Sequence, residues 1–315
     1  MPILHIYGNI ANRMNDASIS YERSTAHNSE DTKYYIAATV NNALYDFDEY
    51  AMQDGILTPP NNLKILVHRF GTSGTAPMLN DMKQIDPISP ILVRGILDHN
   101  AIGLGTLLET VPVPPDIAIG YAWDGDGFNT DKIKAKAYHE FAHASHYRIT
   151  SRELWRKNIN NVVHNKGYGS DGDPGIPLID LIEMWGYFIG MEYAHRRYGP
   201  TRHSLATTPT FNNGWYRWNE NGAGFGLFES NGHIAAGFLH DLIDSNNYNI
   251  ANDLAENAEI RLDTIQGYLI QSIFNQMGAT TQSAASLIDK LKNHIPPGPG
   301  NNIANYDSLK SYYGY

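Results

Sequence analysis

Two histidines and a glutamate are spaced so that they could share one metal ion and one reacting water: His139-Glu140-Phe141-Ala142-His143, within the run Tyr138 to His146. In an α-helix each residue advances about 100° and about 1.5 Å, so imidazoles four positions apart stand on one face, roughly one turn apart. Two such ring nitrogens can grip one Zn²⁺. Glu140 follows the first of them and is offset toward the metal's open side, where a carboxylate can take a proton from water. The chemistry implied is that of a zinc hydrolase, with His139 and His143 as ligands and Glu140 as general base.

That chemistry requires a helix, and the flanking residues favour one. Asn129, Thr130 and Asp131 can cap and charge its start, while Ile133, Ala137, Phe141 and Ala144 recur at helical spacing on the side away from the histidines. The expected helix has an apolar back and a ligand-bearing front. The plain alternative is that His139 and His143 are ordinary surface or core histidines, since five-residue patterns also arise by chance.

A zinc site open to substrate needs a third protein ligand. A third histidine soon after a helix-breaking glycine is ruled out, because the position six beyond His143 is Ile149 and no glycine intervenes. The other source is a carboxylate on a second helix. Leu178 to Tyr198, introduced by Pro177 and closed by Gly199-Pro200, reads as that helix. Within it Glu183, Gly186, Tyr187 and Gly190 share one face, so the carboxylate is accompanied by two glycines that allow close helix approach. Glu183 is therefore the choice for third ligand. Its rivals are Asp180, one turn earlier, Glu192, farther along, and His146, which stands roughly two turns from His139 and too far for all three imidazoles to meet at one ion.

The elements that must position these groups are legible in outline. Ile3 to Tyr7 is a short strand; Ile36, Val40, Leu44, Phe47 and Ala51 follow a helical period that Gly55 stops; Leu63 to His68 is a strand after the Pro59-Pro60-Asn61-Asn62 turn. Gly71 to Thr75 is a loop without the residues of a phosphate-binding loop or a nucleophile elbow, and it receives no catalytic role. Ile91 to Ile96 is a strand or short helix and Gly103 to Thr106 another loop. Ile117 to Trp123 is expected to be a strand near the sheet edge, where an extended peptide could pair with it. Asp124-Gly125-Asp126-Gly127 reads as a sharp turn, because the later ligands of a calcium loop are missing. Helical spacing returns in Ile234 to Ile243, Ile265 to Phe274 and Ala284 to Leu291, and the Pro-Gly-Asn stretch from Pro296 to Asn302 sets a short Tyr-rich tail apart from the body. Trp215 to Trp218 is expected to line the cleft or support a loop.

The expected fold is α+β and zincin-like: a mixed sheet with helices in an N-terminal lobe, residues 1–150, ending in the His-Glu helix, and a mainly helical lobe, residues 151–315, carrying the third ligand. With 42% apolar and 18% charged residues the composition is that of a globular chain, not a disordered one. A net charge of −10 without a Lys/Arg run argues against nucleic acid as a partner. The absence of cysteine removes disulfides, thiolate ligands and a cysteine nucleophile. No apolar run is long enough for a membrane span and the first residues lack a signal peptide's pattern, while abundant Asn, Tyr and Gly suggest an exported protein whose leader has been trimmed, cytosolic placement being the alternative.

With these residues in place the chain resembles the gluzincin class of zinc metallopeptidases, in which a His-Glu-x-x-His helix is followed by a helix donating a glutamate. Glu183-Met184-Trp185-Gly186-Tyr187 is similar to the pattern around that glutamate, and Asn231 to Gly237 is similar to the thermolysin-like segment in which a catalytic histidine opens a helix. The resemblance covers about a third of the chain, chiefly its middle. It implies Zn²⁺ on His139, His143 and Glu183, and His233 as a donor to the oxyanion, oriented by Glu229, with Tyr187, Tyr198 and Tyr216 as other possible donors. The function expected is hydrolysis of peptide bonds in a peptide or protein substrate. The rival expectations are a noncatalytic cell-envelope binding or structural domain on a zincin scaffold, and a zinc hydrolase of non-peptide amides.

Overall fold

The first long apolar period becomes helix α1 (Glu30–Asp54) in a computed structural model of the protein, which describes residues 5–7, 30–68, 74–83, 115–121, 130–198, 234–243 and 265–315. Ile36, Val40, Leu44, Phe47 and Ala51 are all buried. Gly55 ends the helix at a φ of 69°, a left-handed conformation that only glycine adopts at no steric cost. Gly55 N then bonds Met52 O and Ile56 N bonds Ala51 O, the paired bonds that satisfy a helix's last carbonyls.

Four strands form one mixed sheet: β1 (His5–Tyr7), β2 (Lys64–His68), β3 (Gly74–Thr75) and β4 (Ile117–Gly120), in the spatial order β1-β2-β4-β3. β2 and β4 run parallel with Ile65 opposite Ile117, while β1 and β3 are antiparallel to their neighbours. The run expected at the edge is thus an inner strand, and among the described residues β3 is the edge. Ile117-Ala118-Ile119-Gly120 is buried at every position, as suits a strand flanked on both sides and covered on both faces. The two-residue β3, inside a segment read as a loop, is too short to show any period. Asp116 locks β4 to the elements beside it, its carboxylate accepting from Lys64 N and Asp81 N at 2.9 Å each, the latter in the short helix α2 (Leu79–Lys83).

The remaining elements are helical: α3 (Thr130–Tyr147), α4 (Arg152–His164), α5 (Ile176–Tyr198), α6 (Ala236–Ile243), α7 (Ile270–Asn275), α8 (Ala284–Leu291), a 3₁₀ turn (Lys292–His294) and α9 (Ile303–Tyr312). The described residues are therefore mostly helical, with one small mixed sheet. α3 packs between α1 and α5, and a single apolar cluster runs from α1 and the sheet through both of them to α8 and α9. No helix among the described residues is long and apolar enough to cross a membrane.

Two C-terminal expectations are corrected. Residues 265–269 precede helix α7 rather than belonging to it. The Tyr-rich tail is not set apart from the body: Tyr306 is fully buried against Phe238, ring centres 5.8 Å apart, and Tyr313 donates to Asp241 Oδ2 at 2.7 Å. Tyrosine combines a large apolar ring with a hydroxyl that needs an acceptor, and here the body supplies both surfaces. Ile91 to Ile96, Gly103 to Thr106, Asp124 to Gly127 and Trp215 to Trp218 lie outside the described residues.

Candidate metal centre

α3 begins at Thr130, and Asp131 Oδ1 accepts from Lys132 N at 3.0 Å in the first turn. Its apolar back is buried as expected, but so is most of its front, which faces α5. A helix can come this close only where the opposing side chains are absent. A Cβ on Gly186 would stand 2.5 Å from His143 Cε1 and 2.9 Å from His139 Cε1, and a Cβ on Gly190 would stand 3.0 Å from His139 Cβ. Both glycines are needed for the contact. Trp185, between them and Glu183, donates from Nε1 to Ala142 O at 3.1 Å and ties the two helices directly.

The close approach brings three donor atoms together. His139 Nε2 and His143 Nε2 are 2.9 Å apart, and Glu183 Oε2 is 3.2 Å from the first and 3.5 Å from the second. Donors around a tetrahedral zinc stand roughly 3.3 Å apart, because bonds of about 2.0–2.1 Å meet at the tetrahedral angle. The triangle therefore has the size a metal ion requires. Glu183 Oε2 and His143 Nδ1 are buried and make no hydrogen bond among the described residues, so the carboxylate is aimed at the imidazoles without being used up by them. His139, Glu140 and His143 by themselves form a group whose ligand atoms lie within 4.8 Å of one another and that could hold a metal ion.

The two carboxylates differ in charge preference. Glu140 is 3% exposed, and burial pushes its carboxyl above the usual range; Glu183 adds to the rise, and the two imidazoles oppose it. For Glu183 burial acts in the same direction, but the imidazoles of His143 and His139 outweigh it and hold the group below the ordinary carboxylate range. The two neighbouring carboxylates are thus shifted in opposite directions, Glu140 toward the protonated form and Glu183 toward the ionised one.

The rivals for third ligand are placed elsewhere. His146 is fully buried on another side of α3, with Nε2 3.0 Å from Met277 O. Glu192 lies near Arg196 and His240, at 3.8 and 3.7 Å. Asp180 stands on α5 one turn before Glu183. Tyr187 packs edge-on against His139, ring centres 4.6 Å apart, whereas Tyr198 ends α5 roughly 22 Å along the axis from Glu183. His233, Glu229 and Tyr216 lie outside the described residues. One neighbour of the site gave no sequence signal: Gly74 of β3 lies against the Glu140 side chain, in a segment whose residues match no catalytic pattern. No family model, curated protein or solved structure matches the chain.

Proposed function

We propose that the protein is a zinc-dependent peptidase of the gluzincin kind on a zincin-like scaffold. The observation that carries this reading is the triangle of His139 Nε2, His143 Nε2 and Glu183 Oε2, with edges of 2.9, 3.2 and 3.5 Å, beside the buried carboxyl of Glu140. His139, His143 and Glu183 hold the metal. When bound, zinc supplies Lewis acidity and a fixed positive charge that favours oxyanions.

The chain's own groups do the remaining work. Glu140 accepts the proton of the attacking water and hands it to the departing amine, a double task suited to a carboxyl whose burial has raised its proton affinity. Glu183, held ionised, stays a ligand and does not compete for that proton. Packing of Tyr187 on His139 fixes the plane of that imidazole. His233 is proposed as the oxyanion donor, on the resemblance alone. Abundant Asn, Tyr and Gly with few Lys suit an exported protein, and the substrate proposed is a peptide or protein.

The test begins with elemental analysis of protein purified without added metal, with His143→Ala alongside. About one zinc per chain, absent from the variant, is expected; a mixed peptide library should then be cleaved by the wild type. Absence of metal even after zinc titration would sink the reading, and zinc without cleavage would transfer support to a binding domain or an amide hydrolase of another substrate class.

A further inference from the structure

Gly74 occupies the edge strand β3, opposite Ile119 of β4, and its backbone is not among those in the left-handed region. An alanine could adopt its conformation. What the missing side chain accommodates is Glu140: a Cβ at position 74 would lie 2.8 Å from Glu140 Cδ and 2.9 Å from Glu140 Cγ, closer than non-bonded carbon atoms can approach. The same carboxylate is buried, its Oε2 has no hydrogen-bond partner among the described residues, and one of its oxygens stays within 4.8 Å of the imidazole nitrogens. It is held in place by shape and not by hydrogen bonds at that oxygen.

We propose that Gly74 is a positioning residue for Glu140: the bare backbone of the edge strand leaves the room in which the carboxylate lies beside the two histidines. Two glycines then divide the site between them. Gly186 clears the imidazoles on the α5 side, and Gly74 clears the carboxylate on the sheet side. The three atoms nearest a Cβ at 74 all belong to the Glu140 side chain and none to backbone, so the added group displaces Glu140 before it disturbs the strand. Its effect belongs on quantities that depend on Glu140, not on metal content or folding. This inference rests on the reading of Glu140 as the general base.

A double-mutant cycle tests it, with wild type, Gly74→Ala, Glu140→Gln and the double variant, all loaded with zinc. The readouts are zinc per chain, thermal midpoint, Kd for acetohydroxamate (a small metal chelator whose N–H and O–H groups can hydrogen-bond a neighbouring carboxylate) and kcat and KM on a peptide from the library. Gly74→Ala is expected to keep its zinc and a midpoint within about 2 °C of wild type. It should weaken acetohydroxamate roughly tenfold and lower kcat about 10²-fold with KM little changed. Added to Glu140→Gln it should change nothing further, because its target is already gone. Wild-type chelator affinity and turnover in Gly74→Ala, additive losses in the double variant, or loss of zinc would each overturn the proposal. If the wild type binds zinc and acetohydroxamate but cleaves no peptide, the peptidase reading falls, while the chelator cycle still decides the role of Gly74.

Discussion

Helix α3 carries three buried or nearly buried histidines, and the two that face α5 are treated differently from the third. His146 Nδ1 has no hydrogen-bond partner among the described residues, but its Nε2 reaches a distant segment, 3.0 Å from Met277 O. Other polar groups on that helix also reach distant segments: Tyr138 donates to Asp46 Oδ2 at 2.7 Å, Lys134 pairs with the same oxygen, Ser145 donates to Leu57 O, and Tyr147 donates to Asp81 Oδ2 at 2.6 Å. Around His139 and His143 the groups instead crowd on one another, with Glu183 Oε2 and Glu140 Oε2 left without a hydrogen bond among the described residues. Burying polar groups without partners costs free energy. Here the unpartnered oxygens of Glu140 and Glu183 converge beside two imidazoles, and His139, Glu140 and His143 form a group that could hold a metal ion.

The strongest way to break this comparison is Glu140→Gln. It preserves shape and hydrogen-bonding length but removes the proton acceptor, so zinc content should persist while turnover on library peptides falls by about 10²–10⁴-fold. Unchanged turnover would mean that the converging groups do no acid–base work.

His146 sharpens the contrast from the closed side. Burial lowers its pKa to about 4, below the ordinary value near 6.5 in the unfolded chain. As pH falls, the unfolded chain therefore binds this proton first, and stability declines from about pH 6.5 down to about pH 4, by about 3 kcal/mol at full effect. His68, lowered to about 4 mainly by burial, with Lys136 adding to it, contributes in the same window. Urea midpoints of metal-free protein at pH 7 and pH 4.5 should differ less for His146→Gln than for wild type, with zinc binding at pH 7 retained. Loss of zinc from that variant would make His146 part of the metal centre and erase the distinction.

Gly186→Ala attacks the open side through packing. The added Cβ must push the two imidazoles aside, and zinc affinity measured by competition with a chelator should drop by roughly 10–100-fold, as when an outer contact of a metal ligand is disturbed. An affinity equal to wild type would show that the helices can separate freely. The smallest effect is expected from Tyr138→Phe, which deletes one bond to Asp46 while Lys134 keeps its own. About 1 kcal/mol of stability should disappear in urea unfolding, with zinc and turnover intact; a change in either would link the closed side to the site.

Much of the site was readable because its parts are local. The spacing of His139 and His143 places two imidazoles on one face of any helix, and Glu183 with Gly186 and Gly190 is a pattern within a single helix. Likewise α1, its glycine stop and β2 follow from short-range periodicity. The edge position of β3, the inner position of β4 and the docking of the Tyr-rich tail were not readable, because each depends on which segments meet. A two-residue strand has no period, and an apolar run such as Ile117 to Gly120 reads alike whether one neighbour or two will flank it.

By itself, then, the sequence determined a helix with two imidazoles on one face, a second helix with a carboxylate and two glycines on one face, and no thiol chemistry at all. Those are consequences of helical geometry and of which functional groups exist in the chain. Only the tertiary structure decided that the two faces meet, that Glu183 Oε2 comes within 3.5 Å of both imidazoles while His146 Nε2 lies against Met277 O, and that Glu140 is lodged against the backbone of strand β3. Such choices are made by packing between segments distant in sequence, where the presence or absence of one Cβ sets how near two elements can come.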